Sequence, residues 1–241
     1  MKAIILAAGR GSRLAGLTDD QPKCLISVGG ISLLERQLKA LRKAGIVDIG
    51  LVSGYLAHRI QVSNVQKFDN PRWQETNMVM SLVCANDWIT NSNFIVSYSD
   101  IIYNSAAIDA LLAFSGDIVI TYDPNWRKLW EMRFDHPLDD AETFRVTEDG
   151  ILLEIGDSSK DIDNIQGQFM GLLKFTSGGW RTVELFLGTL SLDERDRLDM
   201  TSMLSGLLSS GIKIHAVAVS DPWFEIDSER DLAVFESFLA Q

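Results

Sequence analysis

Between Leu6 and Lys23 the chain sets out residue types suited to holding a chain of phosphates. The run Leu6-Ala7-Ala8-Gly9-Arg10-Gly11-Ser12-Arg13-Leu14 ends an apolar stretch, and Pro22-Lys23 begins nine residues after Arg13. Gly9 and Gly11 let the main chain approach an anion closely and turn its N–H groups toward it. Arg13 adds a fork of donors matched to phosphate oxygens, and Lys23 adds a point charge. The pattern is not a dinucleotide fingerprint, because Leu14 stands where the third glycine belongs. It is not a P-loop either, since no G-K-[ST] occurs. Two glycines alone would mean only a turn after a strand. The ordered set of Gly9, Gly11, Ser12, Arg13 and Lys23 points to a phosphate site.

Two aspartates have positions suited to a metal ion. Asp100 follows the apolar run Phe94–Tyr98, at the carboxyl end of a strand, where ligands bind in open α/β sheets. Asp227 immediately precedes the last helix. Mg²⁺ takes one or two carboxylates together with substrate phosphates and waters, so such a pair suffices. Each also has a structural reading, Asp100 as a turn residue and Asp227 as a helix cap, with capping-box spacing from Ser228 to Asp231. The segment Glu75–Ser81 opens a helix whose N–H groups and Asn77 could face a base or an α-phosphate. Its plainer reading has Thr76 as cap and Met78 and Met80 in the core. Trp126 and Trp130 share a helical face, with Arg127, Lys128 and Arg133 among them. They are core tryptophans with surface cations, or an acceptor pocket. In the second case aromatic faces hold an ammonium, Asp140 or Glu142 pairs with it, and Lys128 or Arg133 holds an anionic group.

The first of these stretches resembles L-A-A-G-x-G-[ST]-R-[LM] followed by P-K-x-L. That is the signature of nucleotidyltransferases that activate sugar-1-phosphates and related phosphorylated small molecules. Here it reads Leu6 to Leu14, then Pro22-Lys23-Cys24-Leu25, with later landmarks at Ser97–Asp100, Gln168–Gly171 and Trp223–Asp227. The resemblance covers nearly the whole chain. It implies transfer of a nucleoside monophosphate from an NTP, with release of pyrophosphate. It places Leu6, Ala8, Gly9, Gly11, Ser12, Arg13, Asn77 and Ser81 at the nucleotide and Mg²⁺ on Asp100 and Asp227. Arg13 and Lys23 then act on the phosphates.

The run from Lys128 to Thr143 is similar to the phosphocholine cytidylyltransferase-like branch, as is the T-N-x-x-x-S-L stretch at Thr76–Leu82. That branch implies CTP as donor and a phosphorylated amine or amino-acid-type acceptor, phosphocholine- or phosphoglutamine-like. Trp126, Lys128, Trp130, Arg133 and Glu142 would hold the acceptor, and surface-polysaccharide modification would use the product. Many relatives carry a lysine directly after an I-x-E-I-G-like strand. Here Asp157 follows Leu153-Glu154-Ile155-Gly156, and either Lys160, three residues later, or another cation takes the place of that lysine. The same signature also allows a sugar-1-phosphate enzyme using UTP, dTTP or GTP.

The elements that must position these groups alternate between strand and helix. Lys2–Ala7, Asp48–Ser53, Phe94–Tyr98 and Asp117–Tyr122 are predicted strands. Ser32–Ala44, Tyr55–Val65, Thr76–Trp88 and Ser105–Phe114 are predicted helices. Repeated β-α-β units imply a parallel sheet with helices on both faces. A hairpin follows, Thr143–Thr147 and Ile151–Ile155 across an acidic turn ending in Gly150. Gln168–Phe175 and Lys213–Val219 are further strands, and Gly179–Leu187, Thr201–Ser209 and Ser228–Leu239 further helices. The expectation is a single α/β domain over residues 1–241. Its core, about 1–122 and 210–241, is a Rossmann-like open mixed, mostly parallel sheet, and about 123–209 form a small α+β acceptor-binding lobe.

Composition limits the partners. The net charge of −11 over 241 residues excludes a nucleic-acid polymer, which calls for a basic footprint. A small polyanion is not excluded, because residues 1–23 carry four cations against two acids, and residues 126–133 three against one. No run reaches the ~18 apolar residues of a membrane span. The apolar start is too short for a secretory signal. Cys24 and Cys84 form no disulfide or zinc framework, so a cytoplasmic location is expected. His58, His136 and His215 match no metal or triad pattern. None is needed, since a phosphate monoester with a second pKa of ~6 is already a nucleophilic oxyanion at neutral pH.

Overall fold

The computed structural model describes residues 1–240, the side chain of Ala15 excepted. Its principal strands are β1 (Lys2–Ala7), β2 (Asp48–Ser53), β3 (Gln66–Asp69), β4 (Phe94–Tyr98), β5 (Ile118–Asp123), β6 (Glu142–Val146), β7 (Leu152–Ser158), β8 (Gln168–Phe175) and β9 (His215–Ala218). The helices are α1 (Leu33–Lys43), α2 (Met78–Val83), α3 (Asn86–Ile89), α4 (Ser105–Ala113), α5 (Trp126–Arg133), α6 (Ser177–Thr189), α7 (Leu192–Arg197), α8 (Met200–Ser209) and α9 (Glu229–Leu239). A seven-stranded sheet runs β9-β5-β8-β4-β1-β2-β3. All its pairings are parallel except those of β8, which opposes both β4 and β5. β1 reads as an unbroken apolar run because it lies inside this sheet with Ala3, Ile4 and Ile5 fully buried.

This order positions the site. β1 and β4 are parallel neighbours in register, Leu6 opposite Tyr98. The glycine-rich loop and Asp100 therefore leave the sheet side by side at its carboxyl edge. α1 begins in a capping box between Ser32 and Glu35 and buries Leu33, Leu34, Leu38 and Leu41. From its buried face the Gln37 amide donates to the carbonyls of Tyr98 and Ile101, both at 2.7 Å, and fixes the turn that carries Asp100. A short antiparallel ribbon pairs Ile101–Ile102 with Phe224–Glu225, and the Ile226 N–H donates to the Asp100 carbonyl at 2.9 Å. That ribbon brings Asp227 beside Asp100.

The expected elements differ from the structure in three places. Residues 55–65 form only a single 3₁₀ turn at Ala57–Arg59, bracketed by left-handed Leu56 and Asn64, and lead into the edge strand β3. A helix cannot pass through two such residues. The predicted helix Thr76–Trp88 is broken into α2 and α3, with Asn77 as cap. The lobe is also smaller than 123–209. β8 is buried along nearly its whole length and fills the middle of the sheet, and Trp180 of α6 packs on Phe94 and Phe175 beneath it. Beside the sheet stand α5 and the antiparallel hairpin β6–β7, which α8 covers. Among the described residues no helix is long and apolar enough to cross a membrane.

Candidate active site

The glycine loop is shaped around Lys23. Gly11 lies in the left-handed region at φ 71°, and a Cβ there would sit 2.8 Å from Lys23 Cδ. Glycine is needed both for the backbone and for the lysine stem packed against it. A Cβ on Gly9 would meet nothing within 4 Å, because this part of the loop borders open space. That space is a cavity of about 320 Å³ lined by Leu6, Ala8, Gly9, Gly11, Ser12 and Arg13. Asn77 and Ser81 line it from α2, and Lys23, Asp100 and Asp227 complete the polar wall. All the residues expected at the nucleotide and the metal are thus brought to one cavity. Asn77 Oδ1 caps α2, accepting from the Met78 N–H at 2.8 Å, and Ser81 Oγ accepts from the buried Asn70 amide at 3.0 Å. Thr76, Met78, Tyr98 and Ser99, from the stretches at Thr76–Leu82 and Ser97–Asp100, also line this cavity, as does Trp73, whose type and spacing carried no signal.

A dense ion network crosses the site. The Lys23 ammonium, only 6% exposed, donates to Asp100 Oδ2 at 2.8 Å and to Asp227 Oδ1. Arg13 pairs with the other oxygen of Asp227 at 2.9 Å and reaches Asp140 at 3.8 Å. Behind Asp227 the buried Arg133 guanidinium donates to Asp231 at 2.9 Å and to Glu225 at 2.8 Å, and stands 3.6 Å from Asp227. Burial by itself lowers the pKa of Lys23, but Asp100 and Asp227 together more than offset this and the net shift is upward. Burial raises Asp227, and Lys23, Arg13 and Arg133 reverse that, holding its carboxyl below the usual range.

The structure separates the two readings of each aspartate. α9 is capped by Ser228 and Asp231, whose carboxylate accepts from the Ser228 and Asp227 N–H groups at 2.8 and 2.9 Å. The Asp227 side chain has no capping duty and faces the cations. The side chain of Asp100 likewise serves no turn: Oδ2 takes Lys23, and Oδ1 is buried without a partner. A buried carboxylate oxygen in that state suits a cation. Among the described residues no group of three or more His, Cys, Asp and Glu converges as a metal cage. Two carboxylates beside an open cavity fit Mg²⁺, which completes its shell with phosphates and water.

A second cavity of about 270 Å³ shares Arg13, Met78, Tyr98 and Asp227 with the first. Five carboxylates line it, from Asp140, Glu142, Asp199, Glu225 and Asp227, against the single cation Arg13. Burial, with Asp199 and Asp140 adding to it, pushes Glu142 up to about 7. Burial and Asp227 push Glu225 up to about 8 against the pull of Arg133.

The residues expected to hold an acceptor divide. Glu142 and Trp130 line this cavity, and the Trp130 indole donates to Asp140 at 3.1 Å. Arg133 does not line it, since its guanidinium is committed to Glu225 and Asp231. Trp126 is core, edge-on to Trp130 and donating to the Ile165 carbonyl at 3.3 Å. Lys128 is exposed and lies outside both cavities, because residues 126, 130 and 133 take the buried face of α5 and 128 falls opposite. Lys160 is exposed beyond the end of β7 and lines neither cavity. Asp199 went unread because its spacing marks an ordinary helix cap. It is indeed one, accepting from the Ser202 N–H at 2.7 Å while it lines the cavity.

Known proteins resemble this chain in sequence and in fold. A family model described as the MobA-like NTP transferase domain matches residues 3–144. The CTP:phosphoglutamine cytidylyltransferase of Campylobacter jejuni is 36% identical over 97% of this chain and 98% of its own length. In fold, the chain is similar to the inositol-1-phosphate CTP transferase of T. maritima, with a TM-score of 0.78 at 21% identity over 99% of this chain and 94% of that one. It is also similar to the CTP:phosphocholine cytidylyltransferase of Streptococcus pneumoniae, with a TM-score of 0.76 at 21% identity over 99% and 98%.

Proposed function

This chain belongs to the MobA-like NTP transferase domain family, and we propose that it transfers CMP from CTP to a phosphorylated small molecule that also bears a protonated amine. Pyrophosphate is released. The observation that carries this reading is the second cavity, where five carboxylates face one arginine beside the nucleotide cavity. A hexose phosphate would bring a dianion to that acidic lining with Arg13 as its one cationic contact there, and would carry no positive charge of its own to set against the carboxylates. An acceptor with an ammonium group places positive charge against the carboxylates, and its phosphate can turn toward Arg13 at the junction. The CTP and phosphoglutamine named for the Campylobacter relative fit the same chemistry.

The reaction asks for positioning and charge compensation more than for proton transfer. The acceptor phosphate, with a second pKa of ~6, attacks the α-phosphorus as an oxyanion, so no side chain serves as general base. Arg13 and Lys23 are paired with carboxylates. The triphosphate takes the place of those carboxylates as their partner, which leaves Asp100 and Asp227 available to hold Mg²⁺. Bound there, Mg²⁺ supplies Lewis-acid stabilisation of the charge on the phosphates. Gly9, Gly11 and Ser12 present main-chain donors, and the packed stem of Lys23 fixes its ammonium near the α-phosphate. A CDP-linked product suits a later transfer step such as modification of a surface polysaccharide.

The test is a panel of CTP, UTP, dTTP and GTP against phosphocholine, phosphoglutamine and hexose-1-phosphates, followed by pyrophosphate release. Turnover is expected with CTP and an amine-bearing acceptor. Preference for UTP, dTTP or GTP with a hexose-1-phosphate would overturn the reading.

A further inference from the structure

We propose that the Tyr98 hydroxyl binds the acceptor's phosphate where the two cavities meet, donating a hydrogen bond that orients the attacking oxygen toward the α-phosphorus. This rests on the transferase reading above. The attacking oxygen starts in the acceptor cavity and reaches phosphorus in the nucleotide cavity, so its phosphate passes the residues that border both. Those are Arg13, Met78, Tyr98 and Asp227. Met78 has no donor, and Asp227 repels a phosphate. Arg13 is a long side chain, 65% exposed, that must also meet the triphosphate. Tyr98 is the one rigidly held donor of the four.

Its rigidity comes from three sides. The residue ends β4 opposite Leu6 of β1, and its carbonyl accepts from the Gln37 amide at 2.7 Å. The ring stands edge-on to Phe169, with centroids 5.9 Å apart. Gly171 makes room for it: at φ 71° a Cβ on Gly171 would fall 2.7 Å from Tyr98 Cδ2. Phe169 and Gly171 both belong to β8, so the single antiparallel strand of the sheet is the one that seats this ring. The hydroxyl has no hydrogen-bond partner among the described residues. It is also the right chemistry for its place. A further lysine there would be drawn into ion pairs with the surrounding carboxylates, whereas a neutral O–H keeps its donor for a phosphate oxygen.

Tyr98→Phe removes one oxygen and keeps the ring. Losing a hydrogen bond to a charged group should lower kcat/KM for the acceptor about 10- to 100-fold. Affinity for CTP measured calorimetrically without acceptor, and Tm, should stay at wild-type values. An acceptor kcat/KM within twofold of wild type would overturn the proposal. So would a parallel loss of CTP affinity, which marks a packing role. The variant is assayed with whichever nucleotide and acceptor the wild-type protein turns over fastest. A wrong acceptor class therefore shows in the wild-type panel alone and leaves the Tyr98 result interpretable. If the wild type turns over no pair, both readings fall.

Discussion

Lys23→Met tests the ion network at its centre. Methionine has a similar length and no charge, so the stem still packs on Gly11 while Asp100 and Asp227 lose their shared ammonium. Removing one partner of a buried ion pair costs about 3–5 kcal/mol. Arg13 at 2.9 Å and Arg133 at 3.6 Å remain beside Asp227, which argues for about 3 kcal/mol. For 241 residues this lowers Tm by about 6–12 °C. The sign with pH follows from the two shifts. Lys23 is raised from an ordinary 10.5, so its contribution is complete below that value and is lost as pH rises through the raised one. Asp227 is lowered from an ordinary 3.8, so its contribution is complete above that value and is lost as pH falls through the lowered one. The deficit of the variant is therefore largest near neutrality and shrinks in acid. In catalysis the loss of one preorganised donor should cost kcat about 10²–10³-fold. Mn²⁺, standing in for Mg²⁺, should bind the nucleotide-free variant at least about tenfold more tightly than the wild type, since the two carboxylates are released. Pyrophosphate release gives kcat, melting curves give stability, and the electron paramagnetic resonance signal of free Mn²⁺ gives affinity. A kcat within threefold of wild type would refute the role of Lys23 at the α-phosphate. Equal Mn²⁺ affinities would refute the exchange of lysine for metal.

Three further outcomes are expected. Glu142, raised to about 7, loses its charge as pH falls through that value, so acceptor kcat/KM should drop there. Glu142→Gln should abolish that limb and keep the one near ~6 that belongs to the phosphate itself, and an unchanged profile would remove Glu142 from the acceptor site. Asp227→Asn should stop Mg²⁺-dependent pyrophosphate release with the circular dichroism spectrum preserved, because Ser228 and Asp231 cap α9 without it; retained turnover would contradict the metal role. Gly11→Ala meets a left-handed backbone and the Lys23 stem at once. It should lose about 1–2 kcal/mol from the backbone alone and more from the displaced lysine, read by denaturant titration alongside kcat.

Most of what is contiguous in this chain was legible in the sequence. The glycine loop, Lys23 and the strands β1, β2, β4, β5 and β8 follow from runs a few residues long, in which burial of a strand and the backbone freedom of glycine are local properties. The helix expected at 55–65 failed for an equally local reason, the left-handed Leu56 and Asn64, which no apolar spacing reveals. The residues expected to hold an acceptor were harder. Two tryptophans and three cations on a short helix do not say which face turns inward, and α5 buries Trp126, Trp130 and Arg133 while it leaves Lys128 outside. Only the tertiary structure decided how the charges meet. Lys23 and Asp227 are 204 residues apart, and Lys23 and Asp100 are 77 apart. What joins them is the order β8-β4-β1 and a two-residue ribbon closed by the Ile226 N–H. Residue types and their spacing determined which phosphate chemistry this chain can perform. The sheet order determined which carboxylate faces which cation, because pairing between distant strands is set by the burial of the whole sheet and not by any one segment.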